Sequence, residues 1–182
     1  MSFCLWLTGL PGSGKSTILD ELSQMLSKSG IEAVTLSLDR LRKVLTPEPK
    51  YTEEERAIVY RALVLIAQLL VDRAKKNVII DATGNRKEFR ELARRLIREF
   101  AEIYVKCPVK TCQAREATRR GQPVQKDLYK SAAEGTLKGK LPGISAPYEE
   151  PENPEVLVAS DVMSPQESAK KIVAYIRLRW TG

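Results

Sequence analysis

The chain has 182 residues, of which 43% are hydrophobic and 29% are charged, a balance typical of a soluble globular domain and not of a disordered or fibrous protein. Its formal net charge of +7 suits anionic ligands, and nucleotides meet that description as well as nucleic acid does. The sequence contains no histidine, so any general base must be a carboxylate, a lysine, a tyrosine or water.

The first element is a short apolar run, Phe3–Thr8, which reads as a buried strand. It leads into Gly9-Leu10-Pro11-Gly12-Ser13-Gly14-Lys15-Ser16, and Thr17–Ser29 then has helical periodicity. A strand, a glycine-rich loop and a helix in this order are typical of a phosphate loop, whose backbone N–H groups bind an anion at the helix N-terminus. We expect ATP to be bound by Gly9, Leu10, Pro11, Gly12, Ser13, Gly14, Lys15, Ser16 and Thr17. Lys15 would reach the β- and γ-phosphates, and the Ser16 hydroxyl would hold Mg²⁺.

Two further strands are predicted to end in carboxylates. Ala33–Leu38 reads as the second strand and is followed by Asp39, which we interpret as the group that orients the acceptor; the alternative is a helix cap. Asn77–Ile80 reads as the third strand and is followed by Asp81, which could hold Mg²⁺ through water, act as a second base or simply form a turn. Between them, Thr52 is predicted to cap a helix that runs to about Ala74.

The second half of the chain continues the alternation of helices and strands. The predicted elements are a helix at Arg86–Phe100, a strand at Glu102–Cys107, a helix from Val109 to about Arg119, a strand at Val156–Ala159 and a last helix that Ser164 caps. In the first of these helices Phe89, Leu92, Leu96 and Ile97 should face inward. Arg115, Arg119 and Arg120 could fold over a nucleotide as a lid, or could form a solvated basic face.

The predicted fold is therefore α/β, with a P-loop NTPase-type five-stranded parallel sheet of order 2-3-1-4-5, helices on both faces and a lid. We expect residues 1–182 to form a single kinase domain in which residues 115–154 supply the lid and a substrate flap. Ligands bind such sheets beyond the carboxyl ends of the strands. Asp39, Asp81 and the glycine-rich loop should therefore face one crevice, which favours phosphoryl transfer to a hydroxyl group.

The cysteines and the termini bear on localisation. Cys4, Cys107 and Cys112 lack the spacing of a metal site, and buried thiols are typical of a reduced, cytoplasmic protein. No signal peptide is visible, the apolar run Ala57–Val71 reads as a buried helix, and we expect no membrane partner. We also expect no nucleic-acid partner, because aromatic residues are not interleaved with the basic ones.

The C-terminal third resembles a known family. Its segments Lys126–Ala132, Gly143–Glu149 and Pro151–Glu155 resemble the signature of adenylylsulfate (APS) kinases, and the glycine-rich loop fits the same family. The resemblance implies the reaction of ATP with APS to give ADP and 3′-phospho-APS (PAPS), with Mg²⁺ and often a homodimer. By position it implies that Asp39 orients the 3′-hydroxyl; the catalytic role of Lys15, the ATP contact of Arg115 and the metal contacts of Ser16 and Asp81 are expected from the residues themselves. It implies acceptor contacts by Asp39, Arg42, Arg56, Arg61, Thr83, Arg86, Lys126 and Ile144.

Several positions depart from the family pattern, and all of them are on the acceptor side. Ser37-Leu38 replaces an Asp-Gly pair, Ile58-Val59 replaces a Glu-Asn pair, and Leu141 stands where the family has an aromatic residue that stacks on the APS adenine. The stretch Asp81–Arg86 is more similar to polynucleotide-kinase-like P-loop kinases. Three alternatives therefore stay open: a kinase of another small alcohol, a binder or kinase of nucleic-acid ends, and a non-catalytic nucleotide switch.

Overall fold

A computed structural model describes residues 1–118, 128–137 and 139–181, and it has helices on both faces of one five-stranded sheet. The elements are β1 Cys4–Thr8, α1 Lys15–Lys28, β2 Ala33–Ser37, α2 Leu38–Leu45, α3 Glu53–Asp72, β3 Asn77–Asp81, α4 Lys87–Leu96, β4 Phe100–Lys106, α5 Val109–Ala117, α6 Leu128–Ala133, β5 Val156–Ala159, α7 Pro165–Ile176 and a C-terminal π-helical turn, Arg177–Thr181. The predicted α/β class is confirmed.

The five strands are parallel and lie in the order β2-β3-β1-β4-β5, as predicted. β1 is central, with Leu5 in register with Ile79 of β3 and with Ala101 of β4. All five residues of β1 are buried, which explains why its sequence is an unbroken apolar run. Because the strands are parallel, their carboxyl ends meet at one edge, and that edge carries the site described below.

Alternate residues of the strands face two separate cores. Leu5 and Leu7 pack with residues of α1 and α7 on one face of the sheet. Trp6 packs on the other face with α3 and α4, where Tyr60 stacks on Phe89 with their ring centroids 4.2 Å apart. The helices that flank the crevice are therefore fixed to the sheet by these two layers.

Helix starts agree closely with the sequence signals. The Thr52 side chain accepts a hydrogen bond from the Glu55 N–H at 3.1 Å, and Ser164 forms a complete capping box with Glu167. These bonds satisfy backbone donors that have no partner inside the helix. Asp39 is not the cap of α2, because Ser37 is the N-cap and Asp39 lies in the first helical turn.

Two predictions about helices are wrong. α4 ends at Leu96 instead of reaching Phe100, because Ile97 is already extended and the chain enters β4 at Phe100. As a result Ile97 fills the core, while Leu96 is exposed.

The prediction of a buried helix at Ala57–Val71 is also wrong in part. It holds for one face only, since Ile58, Leu65 and Leu69 are 60%, 52% and 50% exposed. In the described ranges, no helix is long and apolar enough to cross a membrane.

Candidate active site at the carboxyl edge of the sheet

The glycine-rich loop is pressed against β4 and α5. Gly12 has φ +77°, and a Cβ atom there would lie 2.5 Å from the carbonyl oxygen of Cys112. A Cβ on Gly9 would lie 2.5 Å from the carbonyl oxygen of Val105. Only glycine fits at these two points, so the loop keeps its backbone close to its neighbours and turned toward the crevice.

Lys15 folds back over this loop. Its Nζ donates to the carbonyl oxygens of Gly9 at 2.7 Å and of Leu10 at 2.9 Å. The Ile18 N–H bonds to the Gly14 carbonyl at 3.0 Å, so the N–H groups of the turn before it point out of the end of the helix. The exposed side chains of Ser16 and Thr17 lie on that turn. Together these groups form a positively polarised end of α1, which favours a phosphate.

Arg115 joins the loop to the end of β5. Its guanidinium donates to the Ser160 carbonyl at 2.7 Å and to the Ser160 hydroxyl at 3.2 Å, and that hydroxyl donates to the Ser13 carbonyl at 2.6 Å. The guanidinium borders a cavity of about 450 Å³ beside Gly14 and Thr17, a size that is typical of small-ligand sites. Arg119, Arg120 and Lys126, which were predicted to form part of the lid and flap, lie outside the described residues.

On the other side of the crevice, the buried Tyr60 interacts electrostatically with Arg56, Arg42 and Asp39. Burial raises the pKa of Tyr60; the hydrogen bond from the Gly84 N–H and the positive charges of Arg56 and Arg42 oppose that shift, while the negative charge of Asp39 adds to it. The Gly84 N–H donates to the hydroxyl at 3.0 Å. The charges of Asp39 and of two of the predicted arginines therefore act on the same side chain, and Asp39 itself is exposed.

Tyr51 lies next to this group and was missed from the sequence. The Arg42 guanidinium carbon is 5.4 Å from the centroid of its ring, and Arg42 also pairs with Glu55 at 2.9 Å. A Cβ on Gly139 would lie 2.8 Å from the Tyr51 Cβ, so the backbone at Gly139 packs directly against Tyr51. Tyr51 has φ +56°, which is unusual for a bulky residue and is common near functional sites. An aromatic residue directly before the helix cap Thr52 was the available signal.

Arg56 connects α3 to two other segments. It is 9% exposed, and its guanidinium donates to the Asn85 Oδ1 at 3.3 Å and to the Lys140 carbonyl at 3.4 Å. Its Nε is buried and has no hydrogen-bond partner among the described residues. Asn85 in turn donates to the Pro147 carbonyl at 3.3 Å. The β3–α4 loop and residues 139–149 therefore meet at Arg56.

Residues 139–149, which we call the flap, rest on the glycine-rich loop. A Cβ on Gly143 would lie 2.7 Å from the Leu10 side chain. Leu141 is only 4% exposed and packs in a small core with Leu10 and Tyr129, so it offers no surface for stacking. The Tyr129 hydroxyl donates to the Pro11 carbonyl at 2.7 Å. The flap and α6 thus contact the same loop that would hold a phosphate.

The remaining predicted site residues do not form one group. Thr83 lies at the crevice, where its carbonyl accepts from the Thr8 hydroxyl at 2.5 Å. Asp81 ends β3 in register with Leu7, just before the loop, and Ile144 is partly exposed on the flap. Arg86 pairs with Glu53 and Glu88 at 2.6 Å and 3.2 Å. Arg61 is exposed and lies about 140° around the α3 axis from Arg56, so the structure does not bring these two arginines together.

A family model, sequence relatives and a solved structure all indicate the same family. A family model described as adenylylsulphate kinase matches residues 1–159. The adenylyl-sulfate kinase of Thermodesulfovibrio yellowstonii is 42% identical over 178 residues, which is 97% of this chain and 84% of that protein. A probable adenylyl-sulfate kinase of Halalkalibacterium halodurans is 36% identical over 187 residues, covering 100% of this chain and 86% of the relative. A solved structure of the Mycobacterium tuberculosis APS kinase CysC in complex with AMPPNP and APS is similar with a TM-score of 0.82 at 29% identity, covering 97% of this chain and 98% of that one.

Proposed function

The chain belongs to the adenylylsulphate kinase family, and we propose that it transfers the γ-phosphate of ATP to the 3′-hydroxyl of APS, giving ADP and PAPS. One observation carries this proposal. The glycine-rich loop after β1 and the exposed carboxylate of Asp39 just after β2 lie at the same edge of one parallel sheet, and the charges of Arg42 and Arg56 act on the same tyrosine as that of Asp39. Such an arrangement lets a donor and an acceptor meet with little protein movement, which is most of what phosphoryl transfer requires.

On the donor side, the backbone N–H groups at the start of α1 would bind the phosphates of ATP. The Lys15 ammonium, which now contacts the Gly9 and Leu10 carbonyls, would exchange those contacts for the β- and γ-phosphate oxygens. The cavity beside Arg115 and Ser160 is the best site for the nucleoside. Arg115 would supply positive charge close to the phosphates while it remains attached to β5.

On the acceptor side, Asp39 would accept the proton of the 3′-hydroxyl. The new bond joins the 3′-oxygen to the γ-phosphorus, the bond from that phosphorus to the β–γ bridging oxygen breaks, and ADP leaves with the electron pair. Arg42 and Arg56 would bind the phosphate and sulfate oxygens, since guanidinium groups match such anions in geometry and charge. Tyr51 offers an aromatic face for the adenine of APS, a contact worth about 1–3 kcal/mol per base.

The residues present fit a Mg²⁺ ion that arrives with ATP. Ser16 has an exposed hydroxyl in the first turn of α1, and Asp81 supplies a carboxylate at the end of β3. The residues that the structure describes contain no cluster of three or more His, Cys, Asp or Glu ligands. That agrees with Mg²⁺, which usually keeps several waters and takes one or two protein oxygens plus phosphate oxygens. Bound Mg²⁺ would offset the negative charge of the β- and γ-phosphates.

A second candidate is a kinase of a different small alcohol. It is favoured by the burial of Leu141, which removes the stacking residue expected from the family. In addition, the Ser37 side chain accepts a hydrogen bond from the Arg40 N–H at 3.4 Å as the cap of α2, so it does not replace the lost Asp-Gly pair.

A coupled assay of ADP release decides between the two candidates. Purified protein with ATP and Mg²⁺ is tested with APS, adenosine 5′-monophosphate, nucleosides, polyols and short oligonucleotides. We expect turnover with APS, and PAPS identified by mass spectrometry. The APS proposal fails if another acceptor reacts while APS does not. Nucleotide binding without turnover of any acceptor would instead indicate a non-catalytic nucleotide switch.

The exposed face of α3 suits a second copy of the same chain. Ile58, Leu65 and Leu69 fall within about 40° of one another around the helix and about 180° from the buried Ala67. An apolar stripe of this kind on the surface of a folded domain is typical of an interface. Arg61 and Asp72 flank the stripe on one side, so an antiparallel copy of α3 would bring Arg61 of each chain near Asp72 of the other.

This homodimer can be tested by light scattering coupled to size-exclusion chromatography. We expect a dimer for the natural sequence and a monomer for Leu65→Lys. Gln166→Lys on α7 is the matched control and should remain dimeric. A monomeric natural protein would refute this interface.

The state of the cysteines supports a cytoplasmic location. Cys4, Cys107 and Cys112 are all buried and free, and burial raises the pKa of Cys112 to about 12 with a further contribution from Cys107. Buried, unbridged thiols are typical of proteins in a reducing compartment.

A further inference from the structure

The β3–α4 loop, residues 82–85, is held by side chains that come from other elements. The Trp6 indole N–H donates to the Ala82 carbonyl at 2.9 Å, and the Thr8 hydroxyl donates to the Thr83 carbonyl at 2.5 Å. The Tyr60 hydroxyl accepts from the Gly84 N–H at 3.0 Å. These three side chains therefore hold the backbone of this loop in place beside the sheet.

Arg90 is the least expected member of this set. It lies on α4, yet it is only 2% exposed. Its guanidinium points in three directions: Nε donates to the Glu102 carboxylate at 2.5 Å, Nη1 donates to the Gly84 carbonyl, and Nη2 donates to the Glu149 carbonyl at 2.7 Å. One rigid group thus joins the β3–α4 loop, the end of the flap and β4.

These contacts lead directly to the acceptor side of the crevice. Asn85 follows Gly84, and its side chain accepts from Arg56. The Glu149 N–H donates to the Asn85 carbonyl at 2.8 Å. A shift of Gly84 or Glu149 would therefore move Asn85, and Asn85 orients a guanidinium that has few other partners.

Given the proposed function, we propose that Arg90 is a positioning residue for the acceptor: it sets the distance between the β3–α4 loop and the flap, and so orients Arg56 toward the anionic groups of APS. Glu102 balances its charge inside the fold. Arg90 touches neither substrate. Lysine cannot replace it, because an ammonium lacks the planar fork that reaches three acceptors at fixed angles.

Arg94 is a natural control, since it belongs to the same ion-pair network. It pairs with Glu155 and contacts Glu102 at 3.4 Å, but no described contact joins it to residues 82–85 or to the flap. If both arginines only stabilised the fold, replacing either one would have the same effect on the KM for APS. A positioning role predicts that only the replacement of Arg90 raises that KM.

The test compares Arg90→Lys, the charge-balanced double variant Arg90→Met/Glu102→Gln, and Arg94→Met. For both Arg90 variants we expect the KM for APS to rise roughly tenfold to a hundredfold, which corresponds to the loss of one or two charge-assisted hydrogen bonds. The KM for ATP should stay within about twofold, because none of the described hydrogen bonds or ion pairs of Arg90 goes to the glycine-rich loop. Arg94→Met should lower the Tm and leave the KM for APS unchanged.

Hydrogen exchange tests the positioning role of Arg90 independently of which acceptor the protein uses. Without any acceptor present, amides of residues 82–86 and 148–150 should exchange faster in both Arg90 variants than in Arg94→Met. If the natural protein does not use APS, the proposed function fails, while the exchange result and the KM of whichever acceptor does react still test Arg90. Equal exchange in all variants, or equal rises in both KM values, would overturn the positioning role.

Discussion

Replacing Asp39 with asparagine separates catalysis from folding better than any other single change in this site. Asp39 is exposed and lies in the first turn of α2, while Ser37 supplies the cap. Losing its charge therefore removes only the attraction between a carboxylate and the helix N-terminus, which is about 0.3–1 kcal/mol. An asparagine side chain at this position would have nearly the same size as the aspartate, so the fold should be unchanged.

The expected effect on the chemical step is much larger. A general base contributes about 10²- to 10⁴-fold to a rate, and at about 1.4 kcal/mol per tenfold this corresponds to roughly 3–5 kcal/mol of transition-state stabilisation. We expect kcat for APS phosphorylation to fall by about that factor in Asp39→Asn, with little change in the KM for ATP. Steady-state ADP release at saturating ATP and APS measures kcat, and the Tm by calorimetry measures the effect on folding.

Asp20→Asn is the matched control, because Asp20 is an exposed carboxylate on α1 and the charge change is identical. Its kcat should equal that of the natural protein. If Asp39→Asn lost less than about threefold in kcat while its Tm fell, Asp39 would be a helix-dipole residue and not the base.

Three further predictions address the acceptor, the donor and the pH dependence. Tyr51→Ala should raise the KM for APS by roughly 5- to 150-fold, the equivalent of a base-stacking contact of about 1–3 kcal/mol, as steady-state kinetics will show. Gly12→Ala should weaken binding of a non-hydrolysable ATP analogue by a similar factor in calorimetry, because its Cβ would lie 2.5 Å from the Cys112 carbonyl oxygen. Burial would raise the pKa of Glu155, but hydrogen bonds, chiefly from Arg94, outweigh it and hold that pKa below its usual value near 4.5. The stability this carboxylate contributes is therefore present above about pH 4.5 and lost as the pH falls below it, so Glu155→Gln should flatten the fall in Tm between about pH 6 and about pH 3.5.

Each of these has a control that can contradict it. Tyr51→Phe keeps the ring and should behave like the natural protein, so a large effect would point to the hydroxyl and not to stacking. Gly30→Ala also sits at positive φ but has open space around its Cβ, and an equal loss of ATP binding there would mean a general loss of stability. An unchanged acid slope in Glu155→Gln would show that other carboxylates dominate acid unfolding.

The donor half of the site could be predicted from the sequence because its chemistry is local. The loop Gly9–Ser16 has its glycines, its lysine and its helix start within one continuous segment. The capping signals at Thr52 and Ser164 are local in the same way, and both caps are present in the structure. The order of the strands was also predicted correctly, because few arrangements put a phosphate loop at the end of a central parallel strand.

The acceptor half depends on contacts between residues far apart in the chain. Arg90 reads as an ordinary polar residue of an amphipathic helix, and only the fold shows that it faces Glu102 and Glu149. Periodicity shows which side chains share a face, but not whether anything covers that face. The exposed stripe on α3, which was expected to be buried, is the clearest example.

The position of the glycine-rich loop in the chain has a consequence for how the protein acquires its activity during synthesis. β1 leaves the ribosome before the other four strands, yet it is the central strand, and its neighbours β3 and β4 begin only at Asn77 and Phe100. The groups that support the loop come later still: the backbone of Val105 and Cys112 and the side-chain hydroxyl of Tyr129. At about 5–20 residues per second of translation, the nascent chain must keep an apolar N-terminal strand unpaired for several seconds. Non-local parallel pairing also slows folding, so β1 stays exposed until β3 and β4 arrive, and nucleotide binding by the growing chain would report that more than half of the sheet has assembled.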